Sequence, residues 1–414
     1  MKFLSLFLQL LLFLSLFLSP QLKLPLSGSL GDIVYAQTTL NPSPSGSEGV
    51  LPGEDEWRHK MHSFKMILNE LLPYTVNIEA FNAAENAILI QNSVNKLTAT
   101  SQSLNHRKLS VASDPTISYV AAAFEDNLGS VTENLKKGRR DYGRYLLLNT
   151  LSYCIECHTR TNEPPEFFSK LEDASFQKLN PIEQVEYLVA MRHFSNALAL
   201  IERILEQDLP ENLTLGAEKL IQYGLSVSVK FNQDSKKALA LIEKIEKAKN
   251  VPYFLKKDAA HWKSSVLNWQ KFEMKAKKKA KTEPKDILIS AEALIKDGSS
   301  LNSKNSSLHA GDIYFLRANS MLLQLLKQNL SKEIVAQTLL LVGETYEAMT
   351  GNLFWSLHQY YYEACARQLP HSVIAGKCFK KFETSVYSEY SGGSGTYLPT
   401  HAAKKIKELK ALSR

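Results

Sequence analysis

The chain has 414 residues, 44% hydrophobic and 22% charged, which is too apolar for a disordered chain and long enough for two or three domains. Lys and Arg number 49 against 42 Asp and Glu, a net +7 spread over a long sequence. A dedicated nucleic-acid binder concentrates its basic residues on one face, so no nucleic-acid partner is expected. Four cysteines, two of them three residues apart with a histidine next, do not have the spacing of a disulfide-dense module.

Residues 1–18 carry one lysine and are otherwise almost all Leu, Phe and Ser. Val34 and Ala36 then put aliphatic and small residues at the minus-3 and minus-1 sites of a signal-peptidase cut before Gln37. Residues 1–36 therefore read as an export signal. A retained anchor stays open, with an apolar run slightly short for a membrane span. Either way the remainder is expected outside the cytoplasm, in the periplasm or otherwise exported, and at the outer membrane face if the leader stays. Residues 37–56 are rich in Pro, Gly, Ser and Thr and read as a flexible tether.

Helical periodicity starts at Trp57. Trp57, Met61, Phe64, Leu68 and Leu71 form one apolar stripe on a helix predicted to end near Pro73. A second stripe runs Ala80, Ala83, Ala87, Ile90, Val94, Leu97, Ser101 and Leu104. The third helix is predicted to open with Asp114 as N-cap and Pro115 at its first position, to bury Ile117, Ala121, Phe124, Leu128, Val131 and Leu135, and to stop at Gly138. A fourth runs from Arg140 into Cys154. Four amphipathic helices with modest loops predict an antiparallel four-helix bundle over 57–162.

Two prolines in TNEPPEFF, 161–168, mark a boundary. Beyond it the octets ALALIERI (197–204) and ALALIEKI (238–245) nearly repeat, with helix-pair patterns around them. The fold class is thus all-α, a bundle followed by an α-solenoid-like array. Its parts are helical repeats over 163–270, a basic linker over 271–286, further repeats over 287–390, and a hinge with a last helix over 391–414. The array resembles tetratricopeptide repeats in architecture, without that family's Trp and Gly signature positions.

Cys154, Ile155, Glu156, Cys157 and His158 form C-x-x-C-H, the attachment signature of c-type haem. Two thiols must reach the two vinyl groups of one porphyrin while the next residue offers an imidazole to the iron from the same side. On this composition the pattern arises by chance in about one chain in a thousand. Covalent haem attachment also takes place outside the cytoplasm, where the leader directs the chain. A thioredoxin-type pair would open a helix after a strand, and a zinc site would need a second nearby pair of ligands.

A four-helix bundle with C-x-x-C-H at the end of its fourth helix resembles cytochrome c′ and the related class II c-type cytochromes, over about a quarter of the chain. The resemblance implies one covalent haem c on Cys154 and Cys157, with His158 as the proximal ligand to iron. In low-spin members a methionine near the start of the first helix is the sixth ligand, and here Met61, on the core-facing stripe, is the candidate. Met66, His59 and His62 lie off that stripe. Where the family carries an aromatic then a basic residue after the motif, this chain has Thr159 and Arg160. Arg160 and Arg144 are the candidates for the haem propionates.

Cys365 and Cys378 lie thirteen apart on two predicted helices joined by QLPHS and are expected to form a disulfide. The lysine run at 275–281 reads as a solvated helix end, and the cluster Phe354, Trp355, Tyr360, Tyr361, Tyr362 as interhelical packing. His193, His261, His309, His358, His371 and His401 show no close ligand spacing. No acid-base or nucleophile constellation marks a catalytic residue, so the expected role is that of an electron carrier and not an enzyme, with catalysis left open. The expected partners are the haem and unidentified redox proteins docking on the repeats, with the membrane added if the leader is uncleaved. A haem-based gas or redox sensor with an open sixth position, and a scaffold with structural haem, stand as alternatives.

Overall fold

The structure is a computed structural model that describes residues 54–102, 117–158, 174–207, 216–249, 251–276, 283–349, 357–393 and 395–414. The side chains at 54–58, 151–152, 154–155, 157–158, 174–175 and 274–276 fall outside it. Also outside are the leader 1–36, most of the tether, Leu104, Asp114 and Pro115, the stretch 161–168, Phe354 and Trp355, and most of the lysine run.

The described chain is all-α apart from one two-residue hairpin. Helix α1 is Glu54–Val76, α2 Ile78–Asn82, α3 Ala87–Gln102, α4 Ile117–Lys136 and α5 Arg140–His158. Phe64, Leu68 and Leu71 of the first stripe are buried, as are Ile90, Val94, Leu97 and Ser101 of the second and Ile117, Ala121, Leu128, Val131 and Leu135 of the third. Helix α1 packs on α3, α3 on α4, α4 on α5, and α5 back on α1.

Two boundaries differ from expectation. Helix α1 continues through Pro73 to Val76. Proline removes one hydrogen bond there, but Arg144 closes the helix by donating to the carbonyls of Thr75 at 2.9 Å and Val76 at 2.6 Å. The second stripe breaks after Asn82, where alanines at 80 and 83 give little to bury. Asn77 instead caps the short α2, accepting from the Ala80 amide at 2.7 Å, and Asn86 donates to the Ala80 carbonyl at 2.9 Å.

After 173 the helices are α6 Ala174–Gln177, α7 Pro181–Ala190, α8 Phe194–Glu206, α9 Ala217–Ser226, α10 Ser235–Lys247, α11 Tyr253–Ala276, α12 Pro284–Asn305, α13 Asp312–Leu325, α14 Lys332–Ala348, α15 Leu357–Gln368, α16 Val373–Glu389 and α17 Thr400–Leu412. Asn180 opens α7 with a capping box: it accepts from Ile182 and Glu183 at 3.0 Å, and Glu183 accepts from its amide at 2.9 Å. The two octets lie on α8 and α10, which touch, and Lys244 joins them through Glu202 at 2.6 Å and Glu206 at 2.9 Å. Each helix from α12 to α17 packs on its successor. The expected hinge is a hairpin pairing Ser391 with Thr396 and Gly392 with Gly395, and Gly395 takes a φ of 108° that its missing Cβ allows. Cys365 on α15 and Cys378 on α16 are disulfide-bonded, with Cα atoms 6.0 Å apart and both side chains buried.

The turn between α12 and α13 holds a cluster that sequence spacing concealed. His309 Nδ1 lies 3.1 Å from Asp312 Oδ2, its Nε2 lies 3.0 Å from Glu218 Oε1 on α9, and Ser307 donates to Asp258 of α11 at 2.7 Å. Burial pulls the imidazole down, but the hydrogen bond to Asp312 and the charges of Asp312, Glu218 and Asp258 outweigh it and raise the His309 pKa above its ordinary 6.5. Burial pushes the Asp312 carboxyl up to about 6 against the pull of His309. Both groups bind protons more tightly folded than unfolded, so they stabilise the fold less as pH rises. The Asp312 contribution is complete below its ordinary 3.8 and gone above about 6. That of His309 is complete below 6.5 and fades through its raised value. The wild-type melting temperature relative to that of Asp312→Asn should therefore fall from pH 4 to pH 8. A difference that is flat or grows with pH would contradict this account.

Candidate functional site

Helix α5 carries the C-x-x-C-H motif, and its neighbours fix the motif's place. Gly138, at a φ of 75°, turns the chain out of α4. At the start of α5, Arg140 donates to the Phe81 carbonyl and lies 5.5 Å over the Phe81 ring, while Arg144 takes the last carbonyls of α1. Helices α1 and α5 therefore run antiparallel. Against α4, an added Cβ on Gly143 would meet Leu135 at 2.6 Å, and Asn127 donates to the Tyr153 hydroxyl at 2.9 Å. That pair is antiparallel too, anchored near both ends.

Register then sets the level of the motif. His158 lies fourteen residues beyond Arg144, about 21 Å along the axis, and Met61 lies fourteen before Thr75, so equal rise brings Met61 to the level of His158. On α4, counting back from Asn127 opposite Tyr153 brings Ala122 to Asp126 to the level of Cys154 to His158. Phe64 and Phe124 meet there edge to face at 5.6 Å, joining α1 to α4. At this level α4 carries Ala122, Ala123 and Phe124, followed by Glu125 and the exposed Asp126.

Within α5 the backbone positions of Cys154, Cys157 and His158 fall on an arc of about 100°. That arc prolongs the stripe of Leu147 and Thr150, both fully buried. Met61 continues the buried stripe of Phe64, Leu68 and Leu71 and is itself half-buried, whereas Met66, His59 and His62 are exposed. Two cysteines and a histidine on one arc of the backbone, with Met61 at the same level on α1, are residue types that could hold a covalent haem. The helix end carries the negative end of the macrodipole, the wrong end to stabilise a redox-active thiolate. Arg144, considered for the propionates, stands about 21 Å from His158 and is engaged with α1. Arg160 lies outside the described residues.

Glu156 faces the other way. It is fully buried; Lys230, itself only 3% exposed, places Nζ 2.5 Å from Oε1, and the Tyr346 hydroxyl donates to Oε2. The Lys230 ammonium also lies 5.5 Å from the centre of the Tyr346 ring. Tyr346 stacks on Tyr361 at 5.3 Å, and Tyr361 meets Tyr119 of α4 at 6.4 Å. Lys230 sits in a π-helical turn, Val227–Phe231, that follows α9; such turns recur at functional sites. A carboxylate inside the C-x-x-C spacer thus locks the last turn of α5 to the π-helical turn after α9 and to α14. Sequence reading treats that spacer position as variable and missed it. A lone lysine in the apolar run LSVSVKF was the available sign, because lysines are almost never buried unpaired.

Among the described residues, no group of three or more His, Cys, Asp or Glu is placed to hold a metal ion, and no helix is long and apolar enough to cross a membrane. No protein-family model, curated protein or solved structure matches the chain.

Proposed function

We propose that the protein is an exported c-type cytochrome with one haem, held by thioether bonds to Cys154 and Cys157, with His158 and Met61 as axial ligands, that passes single electrons between partner proteins. When bound, the haem supplies the one-electron couple. The observation that carries the reading is that the backbone positions of the whole C-x-x-C-H motif share one arc at the end of α5, level with Met61 of α1. Helices α1, α3, α4 and α5, each packed on the next, support a class II-like four-helix bundle. The serial packing of α7 to α11 and of α12 to α17 supports a helical-repeat array, to which we assign the docking of redox partners. Export follows from the leader, and membrane association from its retention.

Expression with a haem-maturation system in an exporting host tests the reading. One haem per chain is expected, with a mass adduct on the peptide holding Cys154 and Cys157, and none in a Cys154→Ser, Cys157→Ser double variant. The reduced spectrum should be low-spin and turn high-spin in Met61→Ala. A wild-type high-spin spectrum that responds to carbon monoxide would replace electron carriage by gas sensing, and a chain that matures with no haem adduct would overturn the reading altogether.

A further inference from the structure

The last two helices carry a charge imbalance that their own packing does not relieve. From Val373 to Arg414, across α16, the hairpin and α17, eight Lys and Arg stand against three Asp and Glu, a net +5 where the whole chain has +7. Two of those cations are engaged, Lys381 with Glu347 of α14 at 2.9 Å and Lys405 with Glu363 of α15 at 3.0 Å. The carboxylates are drawn inward: Glu408 pairs with Arg367 of α15 at 2.8 Å, Glu389 accepts from the Gln359 amide at 2.8 Å, and Glu383 is half-buried. The other six cations, Lys377, Lys380, Lys404, Lys407, Lys410 and Arg414, are exposed and make no ion pair among the described residues.

Helix geometry gathers the six on one side. Ala402, Ile406 and Leu409 of α17 are buried, and Lys405 and Glu408 mark the flank that faces α15. Lys405 also lines a cleft there, shared by α4, α5, α15, α16 and α17. At about 100° per residue, Lys407 and Lys410 fall on the opposite flank and Lys404 on the outward crest, with Arg414 just past the helix end. That opposite flank meets α16. An added Cβ on Gly376 would lie 3.7 Å from the Ser413 carbonyl oxygen, and the His371 amide donates to the Leu412 carbonyl at 2.7 Å. The end of α17 is therefore level with the start of α16, and the two run antiparallel. On α16, Lys381 turns the other way, to α14, whereas Lys380 shares the flank of Gly376 and Lys377 takes the crest. Lys380 and Lys410 are thus neighbours across the helix pair, with Val373 and Tyr387 exposed on the same side. Like charges gathered in this way repel one another, and an anionic counter-surface relieves the repulsion.

We propose that this face of α16 and α17 docks an acidic patch on a partner protein. The apolar side of α17 is buried in the fold, so the helix has no hydrophobic face to lay into lipid. The cations stand at fixed spacings on two packed helices, a pattern that the carboxylates of a folded protein can match and a fluid bilayer does not need. Such a contact is small and polar, and its charges chiefly speed and orient the encounter. The proposal rests on the docking role assigned above to the helical array. Binding here needs no haem, so its failure is distinguishable from failure of the haem reading.

Fluorescence anisotropy of a labelled helical peptide with Glu at every third and fourth position, titrated with the full chain at low salt, tests this. Saturable binding is expected, and raising the salt from about 0.02 M to about 0.3 M should weaken it at least tenfold. Lys407→Glu with Lys410→Glu should also weaken it at least tenfold, and Lys407→Gln with Lys410→Gln, which removes charge without reversing it, several-fold. Lys236→Glu with Lys237→Glu, at exposed positions on α10, should leave it unchanged. Four results would each overturn the proposal: equal binding of a peptide with Gln in place of Glu; affinity untouched by both the Glu and the Gln variants at 407 and 410; an equal loss in the α10 variant; or tighter binding of phosphatidylglycerol vesicles or duplex DNA through the same lysines.

Discussion

Glu156→Ala should destabilise the protein by about 3–5 kcal/mol, the usual cost of stripping one partner from a buried ion pair. Lys230 would remain as a buried ammonium at 3% exposure, and the Tyr346 hydroxyl would lose its acceptor. Removing both charges is a different matter. Glu156→Leu combined with Lys230→Met leaves no uncompensated charge and fills much of the same volume, so the double variant should recover most of the loss. Chemical denaturation of the four chains, wild type, two singles and the double, measures this as a cycle. A Glu156→Ala loss under 1 kcal/mol, or a double variant as unstable as the sum of its parts, would remove the ion pair from its proposed role. On the proposed reading, covalent haem yield should follow stability, because Glu156, which anchors the last turn of α5, sits between Cys154 and Cys157. The double variant should therefore regain haem as it regains stability.

How far the sequence disclosed this arrangement depends on the range of each signal. Local periodicity located α1, α3, α4 and α5 and their buried stripes, because a 3.6-residue period is written into consecutive residues. It misplaced the end of α1, since Pro73 signals a break locally whereas Arg144, nearly seventy residues away, closes the helix three residues later. The cysteine pair 365 and 378 was legible because two short helices joined by a tight turn leave few other ways to face each other. The near-repeat of the octets was legible too, and the packing of α8 on α10 through Lys244 gives it a physical sense. The C-x-x-C-H motif could be read as a string, but the partners of the carboxylate within it could not. Its partners, 74 and 190 residues away, are set by the fold. The same holds for His309, whose neighbours come from α9, α11 and α13, and for the cleft, which five helices assemble. Sequence spacing finds sites whose ligands are close along the chain; sites built from single residues on many helices leave almost no trace in it.

Breaking the bridge between α15 and α16 is expected to cost about 3 kcal/mol, the chain-entropy value for a closed loop of about 14 residues. The number has a local consequence because of where the bridge lies. Cys365 is fully buried on the helix that also presents Tyr361 to Tyr346 and Tyr360 to Asp126, and Cys378 is fully buried on α16, whose Lys381 pairs with Glu347 of α14 at 2.9 Å. Freeing the hairpin loosens one wall of the cleft and one support of the tyrosine stack behind Glu156. A Cys365→Ala, Cys378→Ala variant should therefore melt earlier, and protease should cut first within α15 to α17. Adding a thiol reductant should move the denaturation midpoint of the wild type towards that of the variant and leave the variant unchanged. A wild-type midpoint indifferent to reductant would mean that the pair contributes nothing to stability, and the support for α15 would then have to come from its packing against α14, α16, α4 and α17.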